Sequence, residues 1–157
     1  MSEHRPNVVI NCAALSRPSP VILGAVELWR QEIEVNLIGS YYVASSATLA
    51  GALIMIFLAS IAGLYGKPNH SGYSASKAGV ISLVQSLAHE GHHAYAISPG
   101  RVDSKMRERE YPNEDKETRL QPIEIGWVVR DIIDGRYRPG DNIIIRRIGH
   151  RTAPNRG

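Results

Sequence analysis

Residues 60–77 read Ser-Ile-Ala-Gly-Leu-Tyr-Gly-Lys-Pro-Asn-His-Ser-Gly-Tyr-Ser-Ala-Ser-Lys, and this stretch decides the fold that we expect. It places Ser60 thirteen residues before Tyr73, and Lys77 four residues after Tyr73. Residues four apart lie one above the other on a helix. An ammonium group one turn from a phenol would favour the phenolate and lower its pKa. The same spacing also occurs by chance in many helices, so its meaning depends on the rest of the chain.

Short apolar runs and amphipathic segments alternate on both sides of this stretch. Such alternation is typical of an α/β fold with a parallel sheet. The predicted strands are 7–10, 53–58, 93–97 and 142–145, and the predicted helices are 27–50, 73–88 and 122–134. Ligands of open parallel sheets bind beyond the carboxyl ends of the strands. Asn11, Ser60 and the pair Pro99-Gly100 all fall at that edge.

Three further stretches accompany the Ser60–Lys77 segment. They are Asn11-Cys-Ala-Ala14, Val35-Asn-Leu-Ile-Gly39 and Ser98-Pro-Gly-Arg-Val-Asp-Ser104. In order and spacing, from about residue 7 to about residue 149, the set resembles the short-chain dehydrogenase/reductase family. The resemblance implies a Rossmann-like parallel sheet with flanking helices. We expect one partial domain over residues 1–150 and a disordered tail over 151–157.

The resemblance also implies roles for individual residues. Tyr73 would exchange the proton of an alcohol or carbonyl substrate, and Lys77 would lower the pKa of Tyr73 and hold the nicotinamide ribose. Ser60 would hydrogen-bond the substrate oxygen, and Asn36 would hold a proton-relay water. The implied cofactor is NAD or NADP. Its binding residues would be Asn11, Ala13, Tyr73, Lys77, Pro99, Gly100, Val102 and Ser104.

Part of the family pattern is absent from the sequence. Neither Gly-x-Gly-x-x-Gly nor the family's Thr-Gly-x-x-x-Gly-x-Gly occurs. The chain therefore resembles the second half of the doubly wound fold, without the strands that bind adenosine and pyrophosphate. We expect the strand at 7–10 to have a bare edge and dinucleotide affinity to be low. The resemblance also implies a homo-oligomer that assembles through its two long helices. The alternatives to an oxidoreductase are a truncated, non-catalytic remnant and a module that dimerises through its long helices.

Composition and motif searches restrict the other classes of function. The chain has 157 residues and a net charge of +3, which is too small to indicate nucleic acid as a partner. Residues 35–66 carry no charge, but their polar residues and Gly51 favour a helix and a buried strand over a membrane span. His89-Glu-Gly-His-His93 matches a zinc-protease pattern, but Gly91 interrupts the helix that such a site needs. We therefore expect no metal.

The single cysteine and the N-terminus bear on location. Cys12 has no partner for an intrachain disulfide, and we expect it to be a small buried side chain. The first residues lack the apolar core of a signal peptide, so we expect a cytoplasmic protein.

Residues 101–119 are densely charged and are predicted to form a mobile loop over the site. Their cations would favour an anionic small-molecule substrate. These cations are Arg101, Lys105, Arg107 and Arg109. A solvated loop in which nearby carboxylates offset these cations explains the same composition, and the sequence leaves both interpretations open.

Overall fold

The computed structural model describes residues 5–22 and 24–147, and the backbone of 148 and 151–156. Four strands lie side by side and parallel in chain order. They are β1 (Val8–Asn11), β2 (Ile54–Leu58), β3 (Ala94–Pro99) and β4 (Asn142–Ile148). These runs are rich in aliphatic side chains, which pack well on a pleated surface. The predicted fold class, a Rossmann-like sheet with flanking helices, is confirmed.

Helices cover both faces of the sheet. Along β2, Met55 and Phe57 pack into one core, and Ile56 packs into the other. The first core includes residues of the two long helical segments, and the second includes Val128 and Ile132 of a later helix. Side chains alternate between faces along a strand, so β2 must be apolar throughout to be buried on both sides.

The segment predicted as one helix over 27–50 forms three parts. They are α1 (Val26–Ile33), a π-helical turn (Glu34–Ile38) and α2 (Gly39–Leu49). The amide of Gly39 donates to the carbonyl of Glu34, five residues earlier. Such wide turns are rare and recur at functional sites. Here the turn contains Asn36, which is fully buried.

The remaining long helices are α3 (Ser71–His89) and a helix over Pro122–Ile133. A short 3-10 turn over Ile61–Gly63 precedes α3 and packs on it. A β-carbon at Gly63 would lie 2.7 Å from the carbonyl carbon of Lys77. Glycine therefore allows the loop after β2 to approach the backbone of α3 beside Lys77.

Residues 101–119 differ from the predicted mobile loop. They contain the helix α4 (Lys105–Glu110) and a 3-10 turn (Lys116–Thr118). The helix over Pro122–Ile133 is therefore α5. The side chain of Arg119 is fully buried and forms ion pairs with Asp103 and Glu114, at 3.0 and 3.2 Å. A buried guanidinium needs partners on several sides, and this network folds the segment around it.

The two edges of the sheet differ. Residues 151–156, predicted as a disordered tail, form the strand β5 (Arg151–Arg156), antiparallel to β4. The free backbone groups along β4 provide the pairing partners that local composition did not indicate. Gly157, residues 1–4 and residues 149–150 lie outside the described residues. At the other edge is β1, as predicted, and Ile10 is 44% exposed there.

No helix among the described residues is both long enough and apolar enough to cross a membrane.

Candidate active site

The loop after β2 holds Ser60 at the carboxyl edge of the sheet. Ser60 is buried, and its Oγ accepts a hydrogen bond from the amide of Ala62 at 3.1 Å. The serine thus caps the 3-10 turn that Gly63 packs against α3. Because the oxygen acts as an acceptor in this bond, the hydroxyl hydrogen remains available to a second group.

Tyr73 lies in the first turn of α3 and faces Ser60. Burial raises the pKa of its phenol, and a hydrogen bond with the Ser60 side chain acts in the opposite direction. The carboxylates of Glu110 and Glu32 raise the pKa further. This differs from the predicted direction, in which Lys77 lowered the pKa. Negative groups and burial dominate around the phenol, so it is in its protonated form at neutral pH.

The ammonium group of Lys77 contacts the main chain at the end of β2. Its Nζ donates to the carbonyl of Leu58 at 2.6 Å and lies 5.7 Å from the centroid of the Tyr73 ring. Lys77 is only 2% exposed. Burial lowers its pKa to about 8, and a favourable interaction with Cys12 opposes this shift. The lysine therefore interacts with the end of β2, although the helical spacing to Tyr73 is as predicted.

Asn36 joins three segments behind the site. Its Nδ2 donates to the carbonyl of Leu15 at 2.8 Å and to the Oγ of Ser76 at 3.0 Å. Its Oδ1 accepts from the amide of Leu15 at 2.6 Å. The side chain thereby fixes the loop after β1 against α3, one residue before Lys77. A relay water would have to use the remaining acceptor capacity of Oδ1.

A cavity of about 640 Å³ opens beside Ser60 and Tyr73. The predicted cofactor residues that also line it are Pro99, Gly100, Val102 and Ser104. The Oγ of Ser104 accepts from the amide of Arg107 at 3.2 Å and caps α4, so its hydrogen is free to be donated. The predicted residues outside this lining are Asn11, Ala13, Asn36 and Lys77. The structure thus gathers the hydroxyls and the loop after β3 around one cavity, with Asn36 and Lys77 buried behind it.

The loop after β1 is held by its own hydrogen bonds. Asn11 donates from Nδ2 to the Oγ of Ser40 at 3.0 Å and accepts from the amide of Ala13 at 3.1 Å. Cys12, predicted to be buried, is exposed. No strand or helix among the described residues covers the outer side of β1, which explains the exposure of Cys12.

The cations of the segment above the cavity are mostly paired. Arg107 forms an ion pair with Glu114 and stacks on the ring of Tyr111, 3.8 Å from its centroid. Arg101 also reaches Glu114, at 3.4 Å, and Arg109 donates to the carbonyl of Ser16 at 3.1 Å. These contacts favour the interpretation in which carboxylates offset the cations.

Two residues of the cavity wall were not predicted as functional. Glu110 and His70 are both buried, and the Nε2 of His70 lies 3.4 Å from the Oε2 of Glu110. Forty residues separate them in the chain, and no local pattern marks such a pair. The sequence showed Glu110 only as one charge in a mixed cluster.

The histidines of the apparent zinc-protease pattern lie apart from the cavity. His89 is the last residue of α3, and Gly91 follows with a φ of 90°, before β3 begins. The described part of the chain contains no group of three metal-ligating side chains.

Comparison with known proteins identifies the family. A sequence profile for the short chain dehydrogenase family matches residues 4–115. This chain belongs to the short-chain dehydrogenase family. Its similarity to the 3-oxoacyl-(acyl-carrier-protein) reductase FabG of Thermotoga maritima is 30% identity over 132 residues, which are 78% of this chain and 52% of that protein. The (3R)-3-hydroxyacyl-CoA dehydrogenase of Homo sapiens is 33% identical over 131 residues, which are 75% of this chain and 49% of that protein.

The chain spans about half the length of these curated relatives. Among solved structures, a 4-hydroxyisoleucine dehydrogenase mutant complexed with NADH and succinate superimposes with a TM-score of 0.80 and 24% identity. That alignment covers 90% of this chain and 67% of the other. This likeness concerns the fold alone.

Proposed function

We propose that this member of the short-chain dehydrogenase family carries the proton-transfer and substrate-binding part of an NAD(P)-dependent oxidoreductase. The substrate would be a small molecule with an alcohol or carbonyl group. The main support is that Ser60 and Tyr73 line one cavity with the loop after β3, close enough for the Ser60 side chain to favour the phenolate of Tyr73. The cytoplasmic location and the choice between NAD and NADP remain predictions.

The residues that would hold the nicotinamide end of the cofactor fit that purpose. Lys77 uses one of its three donors on Leu58, which leaves two for ribose hydroxyls. Ser104 keeps its hydrogen, and Pro99, Gly100 and Val102 form the adjoining wall. The described residues include no counterpart for the adenosine end. When bound, the cofactor supplies hydride transfer to or from the substrate carbon.

The chain's own groups would handle the substrate oxygen. In the reductive direction, the protonated phenol of Tyr73 donates its proton to the carbonyl oxygen as negative charge develops there. The hydroxyl of Ser60 donates a hydrogen bond to the same oxygen, since its own oxygen already accepts from Ala62. Asn36 would support a water path to Lys77. Because the pKa of Tyr73 is raised, we expect reduction to proceed at neutral pH and alcohol oxidation to need alkaline solution.

The first test is fluorescence titration of the chain with NADH and NADPH. We expect weak binding that Lys77→Ala abolishes, with Lys116→Ala, at an exposed lysine that does not line the cavity, as the matched control. Binding unaffected by Lys77→Ala would contradict the assignment of Lys77. No binding even at millimolar cofactor would favour the alternative, a non-catalytic remnant.

The second test removes the proposed acid. Tyr73→Phe retains the ring and removes the hydroxyl, so turnover of a carbonyl substrate should fall at least about 100-fold. Tyr41→Phe, at an exposed tyrosine, is the control and should leave turnover unchanged. Substantial activity in Tyr73→Phe would refute the proposed role.

A specific observation favours a second candidate, a self-associating module. Val35, Tyr42 and Leu49 are exposed and spaced seven residues apart along the π-helical turn and α2. Residues at this spacing lie close to one face of a helix. Sedimentation analysis of the wild type and Tyr42→Glu would test this function. A monomer at all accessible concentrations would exclude it, and a dimer that Tyr42→Glu dissociates would support it.

A further inference from the structure

The carboxylate of Glu110 lies in the wall of the cavity, and one of its oxygens has no hydrogen-bond partner among the described residues. The side chain is 7% exposed and belongs to the last residue of α4. Its Oε1 is buried and has no hydrogen-bond partner among the described residues. A buried carboxyl oxygen without a partner is unfavourable unless a donor reaches it. The carboxylate of Glu114 also lines this cavity, but it already accepts hydrogen bonds from Arg107 and Arg119.

The second oxygen of Glu110 faces a histidine whose hydrogen positions follow from its contacts. The Nδ1 of His70 lies 2.8 Å from the carbonyl of Pro68, which can only accept, so Nδ1 carries a hydrogen. A hydrogen bond between Nε2 and Oε2 at 3.4 Å then requires a second proton, on the imidazole or on the carboxyl group. His70 therefore engages Oε2 through a long contact, and Oε1 is left for another group.

Glu110 is close enough to the proton donor to act on a bound substrate. It lines the same cavity as Ser60 and Tyr73, and its charge acts on the Tyr73 phenol. The terminal torsion of a glutamate side chain is soft, so a small rotation can present an oxygen to the cavity. A small molecule whose carbonyl oxygen lies at Tyr73 would thus have its other end near Glu110.

We propose that Glu110 binds a hydrogen-bond donor of the substrate, an ammonium group or a hydroxyl, at the end of the molecule opposite the reacting carbon. This inference rests on the proposed function, because it takes Tyr73 as the position of the reacting oxygen. It reverses the expectation of an anionic substrate. The arginines that supported that expectation are engaged by Glu114, Tyr111 and the carbonyl of Ser16.

A binding experiment tests this without requiring turnover. The probes are ethanolamine, ethylene glycol and glycolate, two-carbon alcohols that differ in bearing an ammonium, a hydroxyl or a carboxylate group. Each is titrated into the full chain at neutral pH and followed by NMR chemical shifts of the cavity residues. We expect ethanolamine to bind about tenfold more tightly than glycolate, with ethylene glycol between them, as one charge-assisted hydrogen bond predicts.

The variant Glu110→Gln should remove most of that preference. Glu108→Gln is the matched control, because it makes the same change of charge on the same helix at an exposed residue paired with Lys116. It should leave the preference intact. Equal or tighter binding of glycolate by the wild type would overturn the proposal, and this comparison does not depend on the folding of any variant. A preference that survives in folded Glu110→Gln would also overturn it.

The outcome is separable from the proposed function. Ethanolamine preference without any NADH binding would retain Glu110 as a binding residue and reject the oxidoreductase proposal. NADH binding and turnover without a preference for ethanolamine would support the oxidoreductase proposal and reject Glu110 as a binding residue.

Discussion

The carboxyl edge of the sheet is enclosed on one side and exposed on the other. On one side, β2, α3 and residues 99–114 enclose a cavity of about 640 Å³, and buried Arg119 ties its covering segment together. On the other side, β1 is the edge strand of the described sheet, and Ile10 and Cys12 are exposed there. The groups that we propose for proton transfer and substrate contact lie on the closed side. The difference shows that the described residues enclose a cavity on one side of the sheet edge, although no described strand pairs with β1 on the other.

Breaking the Arg119 network should have the largest effect on the closed side. Arg119→Met leaves Asp103 and Glu114 without their buried cation, so the free energy of unfolding should fall by about 3–5 kcal/mol. Urea denaturation measures this change. Lys116→Met, which removes an exposed ion pair with Glu108, should cost under about 1 kcal/mol. Equal effects of the two variants would show that the segment is not held by Arg119.

The buried charge of Lys77 should make stability depend on pH. The pKa of Lys77 is lowered from 10.5 to about 8, so the unfolded chain binds more protons between these values. The free energy of unfolding should therefore rise with pH across this window, by up to about 3 kcal/mol. Below pH 8 the lysine is charged in both states, so the full cost of burying its charge is present. Lys77→Met should lack this rise, and Lys105→Met, at an exposed lysine, should retain it. The comparison is best made below pH 10, because the raised pKa of Tyr73 means that its ionisation opposes folding above that value.

A smaller effect on stability is expected at Asn36, which connects the loop after β1 to α3. Asn36→Ala removes the partners of the Leu15 backbone and leaves a void beside Ser76, so we expect a loss of about 2 kcal/mol in urea denaturation. Asn113→Ala, at an exposed position, should change stability by under about 0.5 kcal/mol. If Asn36→Ala lowered the free energy of unfolding no more than Asn113→Ala does, the Asn36 side chain would not anchor the Leu15 loop.

The smallest effect is expected at the open edge. Cys12 is exposed, so its alkylation by iodoacetamide should be only a few-fold slower in the native chain than in urea. Strong protection in the native state would show that another segment or a second copy covers β1. Protection that disappears on dilution would identify the second copy.

The sequence determined the four parallel strands of the sheet and the meeting of Ser60 and Tyr73 at its carboxyl edge. The strands could be predicted because double burial demands continuous apolar runs, as in Ile54–Leu58. Ser60 and Tyr73 could be predicted to meet because a loop after a strand and the start of the next helix share one edge. The open side also followed from the sequence, because neither glycine-rich fingerprint occurs in it.

Only the tertiary structure decided how the charged groups are arranged. The pKa of Tyr73 is raised because burial and two carboxylates outweigh the effect expected from a lysine one turn away, and the ammonium of Lys77 is drawn to the carbonyl of Leu58. The segment over 101–119 is ordered because Arg119 finds partners on both sides of α4, and Glu110 meets His70 across forty residues. Periodicity specifies which face a side chain occupies, but burial and long-range pairing set the free energy of its charge, and both depend on segments that the local sequence does not specify.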